Sequence, residues 1–197
     1  MKQGIRVDSY CSSWILFLLL KKGMSIDAIK LKELVASELG KTRDDRVLDQ
    51  IRKHSIEPEA QFRDWDYGDP GEKFICWDVL RDNSSKTGIA YCESGFGPRC
   101  PWGLVGIGKG TGPSLSIGMD SSWFPSLLDA FFDSSLASEL AIWRVYKETN
   151  DHNGEFLTNE GLWDDTWARV YELRENEPTS RIHCRHSITF KSGFSEG

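Results

Sequence analysis

The sequence predicts an α+β fold: N-terminal helices, then a mainly antiparallel sheet of about six to seven strands with one covering helix. Three observations predict it. Apolar residues at helical spacing follow Ser25, and short β-branched and aromatic runs follow residue 73. Glycine, proline and the cluster Asp82-Asn83-Ser84-Ser85 close those runs. Most connections between them are shorter than the dozen or so residues that a parallel crossover needs.

Residues 1–23 read as an extension ahead of a single domain over 24–190, with 191–197 a frayed tail. The apolar run Trp14 to Leu20 falls far short of the roughly 20 residues that span a bilayer. No small-residue cleavage site follows it, and Met24 offers an alternative start of translation. From Ser25, a candidate N-cap, residues Ile26, Ile29, Leu34, Val35 and Leu39 predict a helix that Gly40 stops. Val47, Leu48 and Ile51 predict a second, over 43–53. Residues 55–73 read as a polar, turn-rich bridge.

Strands are predicted at 74–80, 87–93, 102–108 and 114–118, where aromatic and β-branched residues end at glycine or at turn residues. Asp120, Ser121 or Ser122 is the expected cap of a helix over 125–132, with Pro125 in its first turn and Leu127, Leu128, Phe131 and Phe132 on its apolar stripe. Three more strands are expected, at 141–147, 166–174 and 181–190. In 166–174, Trp167, Arg169, Tyr171 and Leu173 alternate with Ala168, Val170 and Glu172.

Five cysteines, an odd number with no CxxC, predict reduced thiols and a cytoplasmic setting. The chain carries −6 overall, with +3 on residues 1–23 and −9 on the rest. An acidic body repels phosphate backbones, so nucleic acid is not the expected partner, and a basic protein is.

No chemical motif completes. Asp64-x-Asp66 opens like a calcium loop, but Asp69 and Ile75 stand where Gly and Glu belong. Gly103 to Gly110 nearly spells a phosphate loop, yet Gly110 replaces the magnesium-binding hydroxyl and no helix follows. No metal or cofactor is therefore expected. Strand periodicity puts His183 and His186 on opposite faces, which argues against a shared ion. A hydrolase or transferase built on Cys92, Cys100, Asp120 and His186 is the enzymatic alternative, on the logic that a thiol needs a base and an orienting acid.

The tryptophans carry the main expectation. Trp65 lies between Asp64 and Asp66, and Trp163 precedes Asp164 and Asp165. Indole rings in acidic loops combine an apolar anchor with a charged rim, which suits protein–protein binding. The expected function is therefore that of a small bacterial-type protein that binds and inhibits another protein, with a profile that resembles that of toxin-neutralising immunity proteins.

Overall fold

The computed structural model describes residues 26–64, 69, 71–93, 99–107, 122–149 and 154–190. Trp65, Asp66, Asp120, the expected strand at 114–118, the glycine-rich loop and both chain ends lie outside the described residues.

Two helices open the described chain. The first, α1, is Ala28–Leu39; Asp27 rather than Ser25 caps it, accepting from Lys30 N at 2.9 Å. Leu31 is its fully buried residue, and Ile29, expected inside, is exposed. The second, α2, is Asp45–His54. Asp44 caps it, Val47 and Ile51 are buried, and its last turn carries Arg52, Lys53 and His54 where cations favour the dipole.

The strands form two antiparallel sheets rather than one. The first is a meander of five: β1 (Ser55–Arg63), β2 (Phe74–Asp82), β3 (Thr87–Tyr91), β4 (Trp102–Gly106) and β5 (Trp123–Phe124). β1 occupies the segment expected to be a polar bridge. Its Pro58 is tolerated because β1 is an edge strand. Its last residue, Arg63, is 1 % exposed and donates to Asp78 Oδ1 and to Gly106 O, each at 3.0 Å.

Alternation divides this sheet's faces. Val79, Leu80, Ile89, Trp102 and Leu104 face the helices, whereas Cys76, Ala90, Cys92 and Val105 form a separate cluster on the other side. Gly103 in β4 is glycine for packing: a Cβ there would stand 2.9 Å from the Trp123 ring.

The covering helix is α3 (Leu127–Phe132), capped by Ser126, which accepts from Asp129 N at 3.0 Å. That is later than the expected caps, because Pro125 precedes the helix instead of entering it. A short helix, α4 (Ser135–Ser138), follows. The second sheet has β6 (Trp143–Glu148) between β7 (Gly154–Phe156) and β8 (Arg181–His186). Between β7 and β8 runs α5 (Trp163–Asn176), where sequence alternation predicted a loop and then a strand. Its Val170 is buried against Val145 and Ile182 of the second sheet. The main core joins α1, α2 and α3 to both sheets, through Leu31, Ile51, Phe131, Ile89 and Trp143.

Candidate functional site

Asp133 ends α3 as its C-cap, directly after Phe131 and Phe132 enter the core. Ser134 then caps the start of α4, donating through its hydroxyl to Phe131 O at 2.6 Å. Ser135 donates to Asp82 Oδ2 at 2.8 Å, which ties α4 to the β2–β3 turn. Asp82 itself is 4 % exposed and accepts from Ser84 N, Ser84 Oγ and Ser85 Oγ at 2.9, 2.6 and 2.7 Å. Burial alone would push its carboxyl up, but the bonds from Ser84, Ser85 and Ser135 outweigh it and hold the group well below the usual carboxylate range.

Across from these groups, α5 begins at Trp163. The preceding Leu162 offers no side-chain cap, so the carboxylates of Asp164 and Asp165 meet the first-turn dipole instead. The Trp163 ring stands edge-on to Trp143 at 4.4 Å and to Trp167 at 5.6 Å. Trp143 in turn donates Nε1 to Ala137 O at 3.0 Å. Trp163 is thus a half-buried wall, anchored in the core on one side, and not the ring of a free loop.

Between these elements lies a pocket of about 290 Å³, lined by Phe132, Asp133, Ser135, Ser138, Trp163 and Asp164 among others. Burial pushes the Asp133 carboxyl up. Neither Asp133 nor Asp164 has a basic partner among the described residues. Two carboxylates, an indole wall and several hydroxyls thus line one pocket, a set of groups whose chemistry complements a cationic side chain.

Of the six residues nominated for partner contact, the structure places Trp163 and Asp164 in this pocket, with Asp165 exposed beside it. Asp64 is elsewhere. It is exposed, bonded to Lys73 at 2.5 Å, and next to the Phe74 end of β2. Asp82 is at the other end of that strand, roughly 26 Å away at the usual rise per residue. Asp133, Ser135 and Ser138 were missed by sequence reasoning. Only the tertiary fold turns that stretch toward the start of α5.

Of the enzymatic set, Asp120 lies outside the described residues, and among the described ones Cys92 and His186 are not brought together. Cys92 lies on the face of the first sheet that points away from the helices, its free thiol hydrogen-bonded to the free thiol of Cys76 and buried with it. His186 lies on the helix side, stacked on Phe132 of α3 with centroids 4.0 Å apart. The thickness of the first sheet separates thiol from imidazole. Cys100 is half-buried on the approach to β4. Burial, aided by the charge of Arg185, holds the His186 imidazole below its ordinary value, so it is neutral at pH 7. Burial also pushes the neighbouring Cys184 thiol up to about 12, leaving it a poor nucleophile.

Among the described residues no three His, Cys, Asp or Glu side chains converge as metal ligands, and no helix is long and apolar enough to cross a membrane. Comparison with protein-family models, with curated proteins and with solved structures finds no match.

Proposed function

We propose that the protein acts by binding a basic protein partner, inhibiting it in the manner of an immunity protein that neutralises a toxin. One observation carries the reading: Asp133, Asp164 and Trp163 share a pocket whose two carboxylates have no basic partner among the described residues. A lysine or arginine of the partner supplies the missing charge and lays its apolar stem along the indole. The net charge of −6 draws a cationic partner in and speeds encounter. Inhibition needs no chemistry from the binder, since covering a cationic functional surface is enough to block it.

The test is calorimetric titration of the purified chain with the product of the adjacent gene. The double variant Asp133→Asn/Asp164→Asn should weaken binding by at least about tenfold, because each charged hydrogen bond contributes ~1.5–3 kcal/mol. Removing Asp164 also costs the first turn of α5 ~0.3–1 kcal/mol. Thermal melting of the variant separates that loss from the loss of binding. Wild-type affinity in the double variant would remove the pocket from the interface.

A further inference from the structure

The outer face of the second sheet carries a pairing that a sheet normally avoids. Arg144 of β6 stands directly opposite Arg185 of β8. Cross-strand partners hold their Cβ atoms about 5 Å apart, where like charges repel.

Each guanidinium leans onto a different ring of that face. Arg144 lies 4.2 Å from the Phe156 centroid and Arg185 lies 4.4 Å from the Tyr146 centroid. The two rings meet edge to face at 5.3 Å. Gly154 permits this: a Cβ there would stand 2.6 Å from Cζ of Tyr146. Stacking covers the flat faces of the guanidinium groups and leaves N–H edges available.

Arg144 uses Nε on Thr158 O at 2.6 Å. Arg185 is exposed and donates to no acceptor among the described residues. The other basic side chains on the face have a carboxylate: Arg181 and His183 approach Glu148 at 3.7 and 3.8 Å. What remains is an uncompensated pair of forks in a chain of net charge −6. A local conflict of this kind, retained without a structural partner, is expected where a ligand resolves it.

We infer that Arg144 and Arg185 bind the phosphate of a small phosphorylated molecule, whose organic part lies in the groove beside them. Two guanidinium charges match one phosphate dianion, and the fork geometry suits its oxygens. The groove is about 850 Å³, has Arg185, Tyr146 and Phe156 at one end, and continues along Phe132 and Phe190. That is room for a nucleotide-sized ligand with an apolar or aromatic body. Single-stranded nucleic acid fits less well, because it needs a cationic track along several phosphates and this groove also holds Asp129 and Asp133. A membrane surface calls for a larger basic cluster than two residues.

Calorimetric titration with phenyl phosphate, inorganic phosphate, benzoate and a ten-nucleotide oligothymidylate tests the assignment. Phenyl phosphate should bind most tightly. Arg144→Gln and Arg185→Gln should each weaken it about tenfold or more, and Arg185→Lys should weaken it as well by losing the fork. Arg181→Gln, equally exposed but paired with Glu148, should leave it unchanged. Because the glutamine variants relieve like-charge repulsion, their melting temperatures should stay close to wild type. No saturation by phenyl phosphate below about 10 mM, tighter binding of benzoate or the oligonucleotide, or an equal loss in Arg181→Gln would each overturn the assignment. The groove reaches Asp133 and Trp163 of the pocket proposed for the protein partner, but the phosphate contacts, Arg144 and Arg185, lie outside that pocket, so the arginine variants test the phosphate reading and the Asp133/Asp164 variant tests the partner reading.

Discussion

Asp82 is the most sharply testable group in the fold, and it bears on the pocket through Ser135. Its Oδ1 accepts from Ser84 N and Ser84 Oγ, and its Oδ2 from Ser85 Oγ and Ser135 Oγ. In Asp82→Asn the amide oxygen keeps one pair of donors, while the amide nitrogen turns away the other. Hydrogen bonds to a charged group contribute ~1.5–3 kcal/mol each. Two are lost, and the hydroxyls regain part by rotating, so the cost at pH 7 is about 2–3 kcal/mol. The pH dependence follows from the depressed carboxyl. Its folded value lies below the ordinary 3.8, so as pH falls the unfolded chain binds the proton first. The stabilisation is therefore complete above about pH 5 and declines as pH drops below about 4. Urea unfolding followed by tryptophan fluorescence, at pH 7, 5, 4 and 3, should show the gap between wild type and variant narrowing by about 1 kcal/mol at the acid end. A gap that holds constant with pH would refute the claim that the charge of Asp82, rather than its shape, holds the turn to α4.

Two further outcomes follow from the same kind of accounting. Asp78→Ala leaves the 1 %-exposed Arg63 without its carboxylate and should destabilise by ~3–5 kcal/mol, whereas Arg63→Met/Asp78→Leu together should fall within about 1 kcal/mol of wild type; urea midpoints decide between independent and coupled effects. Trp163→Ala removes edge-on contacts with Trp143 and Trp167 and should cost ~2–4 kcal/mol, so a melting temperature unchanged within error would show that the ring is not the wall described above.

Much of the architecture was readable because it depends on local chemistry. Val47 and Ile51 recur at helical spacing, and Phe74 to Leu80 is too rich in aromatic and β-branched residues to favour anything but a strand. Two elements were misread for identifiable reasons. In residues 163–176, Trp167, Arg169, Tyr171 and Leu173 alternate like a strand, but Trp163, Trp167 and Tyr171 also recur every four residues. The helical signals were Asp164 and Asp165 in the first turn and Arg174 in the last. β1 hid behind Pro58 and its charged residues, which an edge strand accommodates and a central one would not.

The amino-acid sequence by itself determined the α+β class, the antiparallel pairing, the acidic character and the pairing of an indole with carboxylates at residues 163–165. These are properties of neighbours along the chain. Only the tertiary structure decided that Asp133 faces Asp164 across a pocket while Asp64 stands far off, that a sheet divides Cys92 from His186, and that Arg144 meets Arg185. Those relations are set by strand register and by which face of each element is buried, and both arise from packing between segments that are distant in sequence.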